Sequence, residues 1–140
     1  MNRLILAMGI ALISATALAQ ERTPPAANAE VYIIAPQNGA TVHGPVTVRF
    51  GLKGMGIAPA GVKFDNTGHH HLLIDTELPA DLSQPLPMSD SIRHFGKGQT
   101  ETTLELPPGK HTLQLLFADL THTPFTPNVA SKKITITVTK

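Results

Sequence analysis

The sequence of 140 residues contains no cysteine and no tryptophan, and only 4% of its residues are aromatic. Without cysteine the chain can form no disulfide and can offer no thiolate to a metal ion. Charged residues make up only 15% of the sequence, and the formal net charge is +1. Because nucleic-acid binding requires a basic surface that displaces counterions, we expect no nucleic-acid partner.

Long apolar runs are also scarce, and the clearest one lies near the N-terminus. A short basic start is followed by an apolar run over residues 4–13 and by Ala17-Leu18-Ala19, which fits a signal-peptidase cleavage site. The run is shorter than the about 20 residues that span a bilayer, so no membrane span should remain after cleavage. We expect a periplasmic or secreted protein with a signal peptide, a flexible leader and a folded domain, over residues 1–19, 20–29 and 30–140.

The folded domain has the alternating pattern of short β-strands. Apolar residues recur at every second position, and proline and glycine separate the segments. The predicted strands cover residues 31–35, 46–52, 69–75, 100–106, 110–118 and 134–138. The proline-broken segment 76–98 could contain a further short edge strand. Six or seven short strands without a helical period predict an all-β fold, an antiparallel β-sandwich of the immunoglobulin or fibronectin type.

Three segments resemble a family of exported bacterial domains. They read G-H-H-H-L-L-I-D over residues 68–75, H-F-G-K-G-Q-T-E over residues 94–101 and P-P-G-K-H-T-L over residues 107–113. These segments are similar to the domain of unknown function 4399, and the similarity extends over about residues 31–138. The resemblance implies a small exported β domain. It carries no particular activity.

Seven histidines stand out in a chain with so few aromatic residues. In an immunoglobulin-type sandwich, the third strand begins at the pole where the penultimate strand ends and where the strand before it begins. This topology should bring five histidines to one pole: His69, His70, His71, His94 and His122. We expect the other two, His43 and His111, at the opposite pole, as a solvated turn residue and a structural residue respectively.

Neutral imidazole is a good ligand for copper and for zinc. Because side chains alternate along a strand, His69 and His71 share a face and can bind one ion together with His94 or His122. His70 points to the other face, where it is either a further ligand or a residue packed at the edge of the core. The candidate metal ligands are therefore His69, His71, His94, His122 and His70.

Two other side chains could contribute to such a site. The thioether of Met55 would favour cuprous copper if it reached the ion, although packing within its loop is the alternative. The carboxylate of Asp119 could orient a ligand histidine by accepting its ring N–H.

The sequence therefore predicts a periplasmic or secreted protein that binds copper or zinc and handles the metal rather than catalysing a reaction. Copper comes ahead of zinc because export exposes a protein to copper and because cysteine is absent. We expect no enzyme, since the sequence has no nucleophile elbow, phosphate loop or paired-carboxylate motif. The alternative is a cell-envelope module without metal, with an envelope protein as partner or a structural role. Its histidines would then form a structural end-cap.

Overall fold

Ten strands make up the regular structure of residues 22–140, the part of the chain that the computed structural model describes. Their bounds are β1 (Glu30–Ala35), β2 (Thr41–His43), β3 (Val46–Lys53), β4 (Gly56–Ile57), β5 (Thr67–Ile74), β6 (Ile92–His94), β7 (Glu101–Leu104), β8 (Gly109–Ala118), β9 (Pro124–Ala130) and β10 (Ile134–Thr139). The predicted signal peptide, residues 1–19, lies outside the described residues.

The strands form two sheets that pack face to face. One sheet has the order β1-β3-β7, and the other has the order β2-β10-β8-β5-β4, with β6 beside β5 and β9 beside β8. The long pairs are antiparallel, whereas the short pairs β10–β2 and β4–β5 are parallel. This strand order confirms the predicted all-β sandwich of the immunoglobulin or fibronectin type. The predicted edge strand in residues 76–98 is also present, as β6.

The core between the sheets follows the sequence alternation. In β3, for example, Val46, Val48 and Phe50 are buried, while Thr47 and Arg49 are exposed. The same alternation in β8 and β10 supplies the facing sheet with inward-pointing leucines, isoleucines and valines. Burial of these apolar side chains is the main stabilising contribution to such a fold.

The strand β5 differs from the others because it is buried on both faces. Its residues from Gly68 to Ile74 are all buried. The inner face belongs to the main core, and the outer face carries a second apolar cluster that includes Leu73, Leu86 and Leu116. Leu78 and Leu82 pack against this second cluster, so the segment after β5 covers the outer face of the sheet. The triple histidine of β5 is therefore enclosed from both sides.

The residues before β1 are bonded to the domain from Arg22 onward. The Arg22 guanidinium donates to the carbonyls of Pro124 and Phe125, and the backbone N–H of Thr126 donates to the Thr23 carbonyl at 3.0 Å. These hydrogen bonds hold Arg22 and Thr23, which lie in the described part of the predicted leader, against β9. Within residues 22–140, no helix is both long enough and apolar enough to cross a membrane.

Candidate metal centre

Four histidines meet on the outer face of the larger sheet. His69 and His71 lie two residues apart on β5 and so share a face. His94, on β6, is the direct cross-strand partner of His71. His122 lies in the turn between β8 and β9. Each of the four residues offers one ring nitrogen, and these atoms all lie within 4.8 Å of one another. The predicted convergence of these four histidines is present in the structure.

The four rings are enclosed to different degrees. His69 and His71 are fully buried, whereas His94 and His122 are partly exposed. A single hydrogen bond joins two of the rings within the described residues, between His69 Nε2 and His122 Nδ1 at 3.1 Å. The other buried nitrogens of the cluster have no hydrogen-bond partner among residues 22–140, namely Nδ1 of His69, both ring nitrogens of His71 and Nε2 of His94.

Burial and mutual repulsion favour the neutral form of three of these imidazoles, those of His69, His71 and His94. Burial, followed by the nearby His94 and His122, lowers the pKa of His69 to about 4. Burial and the neighbouring rings lower the pKa of His71 to about 2. The pKa of His94 is also lowered, first by burial and then by His122. Because a metal binds only the unprotonated nitrogen, the buried part of the cluster is ready to coordinate an ion at neutral pH.

Backbone contacts fix the position of His122. Its backbone has a positive φ of 66°, its N–H donates to the Asp119 carbonyl at 3.0 Å and its carbonyl accepts from the N–H of Leu86 at 2.8 Å. The contact with Leu86 was missed at the sequence level, because no periodic pattern marks a loop residue that reaches back to a turn. It connects the segment covering the sheet to a candidate ligand.

Asp119 acts on the turn and not on a ligand ring. Its Oδ1 accepts hydrogen bonds from Thr121 N, Thr121 Oγ1 and Thr123 N, and its Oδ2 accepts from Thr23 Oγ1. Among the described residues it accepts no hydrogen bond from a histidine ring, so the predicted orienting role by direct contact is not present. The carboxylate instead holds the turn that carries His122. It also lies close enough to His69 to oppose the lowering of that residue's pKa.

His70 is not brought together with the other four candidates. It points into the core between the sheets, where its ring lies 5.1 Å from the ring of Phe50 and 5.1 Å from that of Phe117. Burial lowers its pKa to about 4, and neither ring nitrogen has a hydrogen-bond partner within residues 22–140. Of the two roles considered for His70, packing in the core matches this position. Met55 likewise packs against the main core, which matches the alternative considered for it.

The two remaining histidines lie at the other end of the sandwich. His111, at the start of β8, is hydrogen-bonded through Nδ1 to Asp75 Oδ2 and through Nε2 to the Pro107 carbonyl, both at 2.7 Å. His43, on β2, is exposed and bonded to Thr139 Oγ1. His111 has the structural role predicted for it, and neither residue contributes to the cluster.

Comparison with known proteins places the chain by family. The fold is similar to part of the endo-beta-1,4-mannanase from Thermotoga petrophila (20% identity, TM-score 0.45), with 80% of this chain and 20% of that chain covered. It is also similar to the fibronectin(III)-like modules of Clostridium thermocellum CbhA (11% identity, TM-score 0.39, 77% and 92% covered). No curated protein matches the sequence significantly. The family model described as Domain of unknown function (DUF4399) matches residues 48–139, which include the four clustered histidines, and the chain belongs to this family.

Proposed function

We propose that this protein binds one copper or zinc ion through His69, His71, His94 and His122, and that it handles the metal without catalysing a reaction. The observation that carries the proposal is the set of buried ring nitrogens that have no hydrogen-bond partner among residues 22–140 and that converge on one another. Leaving a buried polar atom without a partner costs about 1–3 kcal/mol, a cost that coordination of an ion would offset. A purely structural end-cap would instead be expected to pair these nitrogens.

The number of ligands favours handling over catalysis. Bonds of about 2.0–2.1 Å to a tetrahedral zinc ion place the ligand nitrogens about 3.3 Å apart. The 3.1 Å separation in the pair His69–His122 is already close to this value, and rotation of the other rings would close the rest. Four protein ligands fill the tetrahedral set, whereas a catalytic zinc keeps one position for water or substrate. Copper is the preferred candidate for an exported protein without thiolates, and zinc is the second.

Export is part of the same proposal. A basic start, a short apolar run and an Ala17-Leu18-Ala19 site support cleavage after Ala19 and a mature protein that begins at Gln20. Mass spectrometry of the protein isolated from its native cells tests this directly. A mass that corresponds to a chain beginning at Gln20, found in the periplasmic or extracellular fraction, supports export. A chain that still begins at Met1, found in the membrane fraction, would contradict it.

Metal binding is tested by following the melting temperature of the chelator-treated protein while copper or zinc is added. Binding to the folded state alone raises the melting temperature, and the stabilisation grows with the logarithm of the metal concentration over Kd. The variants His69→Ala and His94→Ala should lose most of this increase. The matched variants His43→Ala and His111→Ala, at the other end of the sandwich, should keep it. If neither metal raises the melting temperature of the wild-type protein at neutral pH, the alternative is the better interpretation: a cell-envelope module without metal, whose histidines form a structural end-cap.

A further inference from the structure

One short loop contacts every segment that carries a candidate ligand. Residues 58–61, between β4 and β5, donate three backbone hydrogen bonds of 2.8–2.9 Å: Ala58 N to Gly68 O, Ala60 N to Gly96 O and Gly61 N to Leu120 O. The three acceptors lie next to the ligands in sequence, one residue before His69, two residues after His94 and two residues before His122. The strand pairing of β5, β6 and β8 does not itself join the residues after His94 to the turn before His122.

The contact at Gly96 also controls the space available to a ligand ring. A Cβ atom on Gly96 would lie 2.1 Å from Cε1 and 2.5 Å from Nε2 of His94, and 3.2 Å from Cβ of Ala60. The ring of His94 therefore lies directly against the Gly96 backbone, on the side where the loop bonds to it. Any larger residue at this position would push the imidazole out of the cluster, because a 2.1 Å contact can be relieved only if the ring moves away.

We propose that residues 58–61 form a backbone clasp that, together with Gly96, positions the ligands of the metal centre; this inference rests on the proposed function. The clasp holds the ends of three ligand-bearing segments at fixed distances, so the rings converge before an ion arrives. A preorganised site binds more tightly because less conformational freedom is lost on binding. Gly61 and Gly96 are therefore positioning residues, which act on the ion only through His122 and His94.

The chain offers a matched pair of variants for the clasp. Gly61 has φ of +80° and Gly39 has φ of +83°, and a Cβ at either position would meet no atom within 4 Å. Alanine should therefore strain the two backbones to a similar extent. Gly39 donates its N–H to the carbonyl of Thr135, in a turn away from the histidine cluster. It therefore serves as the control. We expect Gly61→Ala to weaken metal binding about 10- to 100-fold, the usual range for residues that orient ligands, and Gly39→Ala to leave the Kd unchanged.

A double-mutant cycle separates positioning of His94 from general damage. Gly96→Ala should weaken metal binding in the wild-type background but have no further effect when His94→Ala is already present, because the displaced ring is then gone. The visible spectrum of the cobalt-loaded protein adds a readout of ligand number. It should change in the same way for Gly96→Ala and for His94→Ala. Metal-free Gly96→Ala should still unfold in one cooperative transition, which shows that the variant folds.

A measurement without metal keeps this inference separate from the proposed function. Nitrogen-15 spectra of the imidazoles report the hydrogen bond between His69 and His122, which Gly61→Ala should weaken and Gly39→Ala should preserve. If the wild-type protein binds neither copper nor zinc, the proposed function fails, while the spectra still decide whether the clasp positions the rings. If the wild-type protein binds metal and both Gly61→Ala and Gly96→Ala bind it equally well, the clasp is overturned and the metal centre stands. Should Gly61→Ala not fold, Gly96→Ala and its cycle decide.

Discussion

Nε2 of His69 and Nδ1 of His122 lie 3.1 Å apart, although the two residues are separated by 53 positions in the sequence. One neutral imidazole can donate and the other accept, so a single proton lies between the two rings. A metal ion bound between these nitrogens would need both lone pairs and would replace the hydrogen bond. The same contact thus holds the turn of His122 against β5 when no ion is bound and marks where an ion would bind.

Acid should destabilise the metal-free protein steeply. The pKa of His69 is lowered to about 4 and that of His71 to about 2, mainly by burial, whereas an unfolded histidine titrates near 6.5. Between these values the unfolded chain binds protons that the folded protein does not. The free energy of unfolding should therefore fall with decreasing pH, by up to about 1.4 kcal/mol per pH unit for each such group.

Urea unfolding in the presence of a chelator, at several pH values from 7.5 to 4.5 in about unit steps, measures this slope. Removing one of the buried titrating rings, as in His70→Leu, should make the slope shallower, since the pKa of His70 is also lowered to about 4. A free energy of unfolding that stays constant between neutral pH and about pH 5 would show that these rings are not buried in neutral form.

Replacing His70 should stabilise the protein and leave metal binding intact. Its ring is fully buried among the aromatic rings of the core, and neither nitrogen has a partner within the described part of the chain. Leucine removes these unpaired polar atoms at little change in volume, so His70→Leu should raise the free energy of unfolding by about 1–3 kcal/mol at neutral pH. His111→Leu is the control and should destabilise, because both of its ring nitrogens are hydrogen-bonded. Loss of metal binding in His70→Leu would instead make His70 a ligand.

Asp119 should matter through the turn that carries His122. Asp119→Ala leaves the backbone N–H groups of Thr121 and Thr123 without their acceptor and should lower the free energy of unfolding by about 1–3 kcal/mol and weaken metal binding. Asp119→Asn keeps one acceptor oxygen, so it should retain most of both. Urea unfolding and metal titration of the two variants measure these effects.

A second aspartate provides the control for this comparison. Asp81 also accepts hydrogen bonds from the residue two positions on, Ser83, but it lies in an exposed loop. Asp81→Ala should change the stability slightly and the metal affinity not at all. An equal loss of metal affinity in Asp81→Ala and Asp119→Ala would mean that the effect is not specific to the turn of His122.

The strand pattern was enough to predict where most of the clustered histidines meet. His94 reaches the cluster through β6, which pairs with β5. For the other three residues, alternation puts His69 and His71 on one face, and the order of strands in an immunoglobulin-type sandwich brings His122 to the same pole. Both steps rest on regular periodicity and on a small number of allowed topologies, and both are present in the structure. Alternation also indicated that His70 points away from the other two.

The irregular contacts could not be predicted in the same way. The clasp at residues 58–61 and the bond from Leu86 to His122 join loops that are distant in sequence through backbone atoms, which every residue type carries. The role of Asp119 was misjudged because a carboxylate near a histidine in sequence can bond either to the ring or to the local backbone. The strand β9 was missed because Pro124 and Pro127 interrupt its pattern.

The pair Asp75–His111, at the other end of the sandwich, should stabilise the protein in a pH-dependent manner without affecting the metal. The hydrogen bond that the His111 ring donates to Asp75, together with the one to the Pro107 carbonyl, raises the pKa of His111, while burial opposes this. A raised pKa in the folded state means that the stabilisation is fully present below the unfolded value near 6.5 and is lost as the pH rises through the folded value. Asp75→Asn keeps the acceptor for the N–H of Thr112 but cannot accept from a protonated imidazole.

The loss of stability in Asp75→Asn relative to wild type should therefore be largest at about pH 6 and should nearly vanish at about pH 9, where neutral His111 can accept from the new amide. We expect a difference of about 1 kcal/mol at about pH 6, below the about 1.5–3 kcal/mol of a hydrogen bond to a charged group, because the Asp75 side chain is partly exposed. Parallel urea titrations of both proteins at the two pH values measure it. Metal affinity should be unchanged, because His69 lies near the start of β5 whereas Asp75 comes directly after its end. A loss that grows with rising pH would reverse the sign and exclude a charged His111 as its source.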